Sequence, residues 1–205
     1  MHLFGRSLRR HVTAACAAVL VSTLATGVVA GQSTPVNDKP ILNLIGAVEA
    51  PAGYNDYYRG MTIRPPKPIS EMTIREVIAF QNLAVKRGSK SSAVGRYQFI
   101  RGTLAELAAE KRIHPDTIFD RRVQDYLARM KLQDCDYYTR HVDEIRVSNC
   151  LAKVWASLPV ITGPKAGRSY YQGIAGNKSL VGIGTVVRTV AMRFTDPNEI
   201  VISMR

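Results

Sequence analysis

Ser91-Ser92-Ala93-Val94-Gly95-Arg96-Tyr97-Gln98-Phe99 compresses a polar approach, a glycine turn and an aromatic exit into one short stretch. Gly95 admits a backbone conformation that a Cβ disfavours, so the chain can reverse there and aim Tyr97 and Gln98 to one side. The Gly/Ser/Lys loop from Arg87 to Ala93 delivers the turn, and the spacing of Leu104, Leu107 and Ala108 predicts a helix within Phe99 to Lys111 just after it. Arg96, inside the turn, reads as a brace of the fold through a buried carboxylate.

Upstream, Ile41, Leu42, Leu44, Ile45, Ala47 and Val48 predict a short helix from Pro40 to Ala50, buried on most sides and stopped by Pro51. Glu49 is the lone acid at its end. Tyr54 to Ile69, with Asp56, Gly60, Pro65, Pro66 and Pro68, has the composition of hairpin and loop and predicts a small β lobe. Thr73-Ile74-Arg75-Glu76 is a capping box that opens a helix to about Lys86. Further helices are predicted over Thr117 to Leu132, His141 to Leu158 and Ser179 to Phe194, with a Gly/Tyr-rich loop from Gly163 to Gly176. The fold class is therefore α+β, mainly α. No internal repeat, phosphate-binding loop, dinucleotide fingerprint or Gly-x-Ser-x-Gly elbow is present.

The first thirty residues stand apart. Arg6, Arg9 and Arg10 precede an uncharged run from Thr13 to Ala30 that ends in Val28-Val29-Ala30, the pattern of a secretory signal peptide cut at Gly31. The alternative is an uncleaved inner-membrane anchor, since the run nearly reaches membrane-spanning length. Gly31 to Lys39 then forms a polar, mobile lead, and residues 40 to 205 form one domain. Cleavage removes three arginines and no acid from a chain of net charge +12, leaving 25 basic and 16 acidic residues and a net charge of +9. An exported basic protein is steered toward polyanionic surfaces. The lysines and arginines are scattered rather than gathered into a stripe, which argues against nucleic acid as partner. Cys135 and Cys150 are the only cysteines after cleavage, an even pair that forms a disulfide in an oxidising compartment or else remains as two buried thiols. His2, His11, His114 and His141 have no metal-ligand spacing, so neither metal nor cofactor is expected.

From Ile41 to Arg193 the chain resembles the lambda-phage-type endolysins, a lysozyme-like family of muramidases and lytic transglycosylases. The resemblance is carried by Ala47-Val48-Glu49, Tyr54-Asn55-Asp56, Ala93-Val94-Gly95-Arg96-Tyr97-Gln98 and the run from Asn149-Cys150-Leu151 through Trp155-Ala156-Ser157-Leu158-Pro159. It implies a lysozyme-like fold, peptidoglycan glycan strands as substrate and Glu49 as the catalytic acid. It also implies a 1,6-anhydro product, formed when the muramic acid 6-hydroxyl attacks internally. The signal peptide and the segment Arg64-Pro65-Pro66-Lys67-Pro68 depart from the phage relatives and point to a periplasmic housekeeping enzyme. In kind it is similar to muramidases that open the wall for secretion or flagellar machinery, acting as a monomer with no membrane contact after cleavage.

Cleaving a glycoside at near-neutral pH requires a carboxylic acid whose pKa is raised by desolvation. Glu49, at the end of an apolar helix, meets that requirement; the plainer reading is a surface glutamate. Asp56 is either a second carboxylate across the groove, as a hydrolase needs, or a turn former. Gln98 has both donor and acceptor for a saccharide N-acetyl group. Tyr54, Tyr97, Tyr170 and Tyr171 are candidate platforms for sugar rings or ordinary packing residues, and Trp155 reads as core. The rival to an enzyme is a wall-binding or assembly-scaffold module that keeps the fold without turnover.

Overall fold

Apolar residues three and four apart line one face of a helix, and this spacing underlies the six α-helices of the computed structural model, which describes residues 36–174 and 176–195. α1 (Lys39–Glu49) buries Ile41, Leu42 and Ile45, and α2 (Ile74–Lys86) buries Val77, Phe80 and Ala84. α3 (Arg101–Glu110) contributes Leu104 and Leu107, and α4 (Arg121–Asp134) contributes Leu127, Ala128 and Leu132. α5 (Glu144–Val154) adds Val147 and Leu151, and α6 (Ile183–Ala191) adds Val186 and Val190. Together these side chains form one core, in which α6 packs against α1 and α5 while α2 pairs with α3. At 9 to 14 residues each, the helices are no longer than the roughly 12–15 residues at which an isolated helix is marginal. Burial in the common core holds them.

Caps set the starts. Thr73 and Glu76 exchange hydrogen bonds in the capping box that opens α2, at 3.2 and 2.7 Å. Asp120 and Asp143 accept from the third amide of α4 and α5, so both helices begin later than apolar spacing alone predicts. Asp38 precedes α1 but does not cap it, because its carboxylate accepts from Arg129 Nε at 2.8 Å and Tyr138 Oη at 2.9 Å. These bonds, with Tyr137 Oη donating to the Asn37 carbonyl and Asn37 N–H donating to that of Arg193, correct one expectation. The lead is pinned to the domain from Asn37 onward. The signal-peptide segment lies outside the described residues.

The β lobe predicted over Tyr54 to Ile69 does not form as a hairpin. That stretch holds 3-10 turns at Gly53–Asn55 and Ile69–Glu71, and its one extended pairing is the isolated bridge of Tyr57 to Val94. The physical reason is in the sequence, since Pro65, Pro66 and Pro68 carry no N–H with which to extend a ladder. The described chain is thus mainly helical, with five isolated bridges. None of its helices is long and apolar enough to cross a membrane among the described residues.

A second correction concerns α5, which ends at Val154 rather than running to Leu158. Trp155 adopts an extended backbone, φ −117° and ψ 115°. Just before that end, Cys150 is bridged to Cys135 at the C-terminus of α4, with their Cα atoms 5.5 Å apart. Replacing both cysteines by Ser is expected to destabilise the protein by about 3 kcal/mol, the chain-entropy value for a loop of this size. Urea denaturation of the double variant measures it, and a loss below about 1 kcal/mol would show that the α4–α5 junction is held by packing alone.

Candidate active site

The turn that follows Val94 is built as a tight reversal. Val94 and Phe99 exchange both backbone hydrogen bonds, at 3.1 and 2.9 Å. Between them Gly95 has φ +76° and Gln98 has φ +46°. Two buried glutamines clamp this reversal from the helices on either side. Gln81 of α2 donates to the Ser92 and Phe99 carbonyls at 2.7 and 2.8 Å, tying the two arms together. Gln124 of α4 donates to the Tyr54 and Phe119 carbonyls and accepts from Arg96 N–H at 2.9 Å. Ser92 Oγ then accepts from Arg101 N–H at the start of α3. The carbonyls of Ser92, Phe99, Tyr54 and Phe119 and the amides of Arg96 and Arg101 thus find partners, whereas Gln81 Oε1 is buried with none among the described residues.

The turn forms one wall of a cleft of about 680 Å³. Glu49, at the last position of α1, lies in it beside Val48, and Tyr97, Gln98 and Phe99 line it from the turn. Trp155, Ala156 and Ser157, just beyond α5, line it as well, with Tyr171 and Leu180 from the loops before α6.

Glu49 is held by a residue 108 positions away. Ser157 donates to its Oε1 twice, from Oγ at 2.6 Å and from N–H at 3.1 Å. Oε2 has no hydrogen-bond partner among the described residues. Burial pushes the Glu49 carboxyl above its usual range, and the two Ser157 bonds, which favour the carboxylate, work against that rise. No second acid contributes to the shift. The end of α5 explains how Ser157 becomes available. In a helix continued to Leu158, Ser157 N–H would bond the carbonyl of Lys153. Instead that carbonyl accepts from Tyr171 Oη at 2.6 Å, and the amide is free to reach Glu49.

The remaining candidate residues divide. Asp56 does not line the cleft; its two oxygens accept from Ala52 and Tyr57 N–H, so it is a turn former. Tyr54 also lies off the cleft, donating to Asp125 at 3.0 Å beneath the guanidinium groups of Arg96 and Arg121. Tyr97 lines the cleft but is buried, and its hydroxyl donates to the same oxygen of Asp125 at 2.7 Å. Both phenols are pushed above their ordinary range, chiefly by burial and then by Asp125. Gln98 spends a side-chain N–H on the Gly95 carbonyl and keeps its place on the cleft wall. Tyr171 lines the cleft, whereas Tyr170 is exposed beside it, stacked edge-on against Tyr171 and facing Lys165. Arg96 braces the fold as expected, but through the Asn43 amide oxygen and two tyrosine rings rather than a carboxylate, while Asp125 Oδ1 accepts from both phenols. A Cβ on Gly46 would fall on that guanidinium, which explains a glycine in mid-helix. Trp155 is core, and its indole N–H donates to the Tyr97 carbonyl at 3.2 Å.

Among the described residues no group of three His, Cys, Asp or Glu side chains could hold a metal ion. Sequence reasoning missed Ser157, Asp125 and the two glutamines, although Ser157 stands inside one of the runs that carried the family resemblance. No protein-family model, curated protein or solved structure matches this chain.

Proposed function

We propose that this protein is a lysozyme-like, peptidoglycan-cleaving enzyme that acts on the β-1,4 bond between N-acetylmuramic acid and N-acetylglucosamine. The observation that carries the reading is Glu49: one desolvated carboxyl, its pKa raised, opening on a cleft large enough for a saccharide and held by Ser157. A protonated carboxyl near neutral pH can deliver its proton to the leaving glycosidic oxygen. The resulting carboxylate, steadied by Ser157, then takes the proton of the attacking hydroxyl. Asp56 is engaged in its own turn, and neither Glu106 nor Glu110, which also line the cleft, contributes to the Glu49 shift, so no second carboxylate is assigned as base or nucleophile. This favours internal attack by the muramic acid 6-hydroxyl and a 1,6-anhydro product over hydrolysis. Export to the periplasm and local opening of the wall for envelope machinery belong to the same proposal.

Digestion of purified sacculi by the mature protein, followed by mass analysis of the muropeptides, tests it. Anhydro-ended products are expected. Reducing ends would instead make the enzyme a hydrolase, and sedimentation with sacculi without any released muropeptide would leave a non-catalytic wall-binding module.

Ser157→Ala provides a finer test. Losing the Oγ bond removes an interaction that favours the carboxylate, so the Glu49 pKa rises further. General-acid activity is lost as pH rises through that pKa, and the alkaline limb of the rate profile should therefore move to higher pH in the variant. The loss of a charge-assisted hydrogen bond should also lower kcat about tenfold. A variant whose alkaline limb stays in place or moves down would remove Ser157 from this role.

A further inference from the structure

Saccharide rings and N-acetyl groups are uncharged, yet the cleft is strongly charged. Lys90, Lys153 and Lys178 all line it, from three different segments, and none of them forms an ion pair among the described residues. The fourth lining lysine, Lys131, is neutralised by Asp134 at 2.6 Å. Of the acids that share the cleft with Glu49, Glu110 is paired with Lys111, which leaves Glu106 against three ammonium groups with no ion pair among the described residues, of which Lys153 lies 6.0 Å from the Tyr170 ring centre. Ile100 and Leu180 line the same cleft and expose half of their surface, 50% and 53%. Cations beside small apolar surfaces do not complement a bare glycan. They complement a short acidic peptide with small apolar side chains.

We propose that the cleft recognises glycan strands through the acidic peptides carried on their lactyl groups, with Lys90, Lys153 and Lys178 receiving peptide carboxylates and Ile100 and Leu180 receiving the alanyl methyls. The proposal rests on the glycan-cleaving reading and narrows its substrate to peptide-bearing strands. In intact sacculi the lactyl carboxyl is itself consumed in the amide to the peptide, so the carboxylates on offer belong to the peptides.

The test compares intact sacculi with sacculi whose carboxyl groups have been converted to methylamides by carbodiimide coupling. The wild-type protein is expected to release muropeptides about tenfold faster from the intact material, the combined effect of a few half-exposed ion pairs. Added salt should shrink that ratio. In Lys90→Ala/Lys178→Ala, with folding checked by thermal melting, the ratio should fall toward one. Equal rates on both substrates by the wild-type protein, or a double variant that keeps the preference, would overturn the proposal while leaving the glycan chemistry in place. Release of muropeptides from neither substrate would overturn both.

Discussion

Glu49→Gln is expected to cut muropeptide release about a thousandfold, the loss that follows when a general acid is replaced by a group with no proton to give. The amide is a close isostere. Its oxygen can accept the same two Ser157 bonds, so the cleft geometry should survive and the loss should fall on kcat rather than KM. Stability should move the other way. Burial raises the Glu49 pKa above the 4.5 of an ordinary glutamate, so between the unfolded and the folded value the native state holds more protons than the unfolded one. Over that window stability falls as pH rises, so above the unfolded value the wild-type protein carries a penalty that grows with pH until the folded carboxyl is ionised. Gln, neutral throughout, carries none. Urea midpoints should therefore be higher for Glu49→Gln at pH 7, and the difference should vanish as pH falls below about 4. If the variant is less stable than wild type at neutral pH, the carboxyl is not desolvated and the acid assignment fails with it.

Gly95→Ala is expected to cost about 3–4 kcal/mol, combining a left-handed backbone for a residue with a Cβ and damage to a buried hydrogen bond. With φ at +76°, an added Cβ would lie 2.5 Å from Gln124 Oε1 and 3.2 Å from the Phe119 ring. Gln124 cannot swing away, because its amide nitrogen is held by two carbonyls and its oxygen by Arg96 N–H. The backbone term and the clash can be separated. In a Gln124→Ala background the clash is absent, and Gly95→Ala should then cost only about 1–2 kcal/mol. An unchanged cost in that background would show that strain alone makes Gly95 necessary, and a cost below 1 kcal/mol in the native background would remove Gly95 from its role.

The helices were legible in the sequence because their evidence is local. Ile41 and Ile45, Val147 and Leu151, or Val186 and Val190 repeat at the helical period, and Thr73 with Glu76 marks a start. Starts set by single aspartates, Asp120 and Asp143, were not separated from the apolar pattern that follows them. The end of α5 was hidden for a related reason, since Trp155 and Leu158 continue the helical spacing although the chain there is extended. Glu49 was legible as an acid on an apolar helix, but its partner was not. Nothing local to Ser157 distinguishes it from other serines, and its role exists only once residues 108 positions apart meet. Of the two readings of Asp56 the turn former holds, and Tyr54 lies off the cleft, because proximity to Glu49 in sequence does not become proximity across the groove.

The missing last turn of α5 makes one backbone amide serve two incompatible structures. Ser157 N–H can bond the Lys153 carbonyl and lengthen the helix, or it can bond Glu49 and assemble the cleft, but it has one proton and cannot do both. Helix-favouring substitutions between Val154 and Pro159, which on propensity alone should strengthen α5, would therefore dismantle the acid site as they succeed. Around this segment, the most stable sequence and the most active one are different sequences.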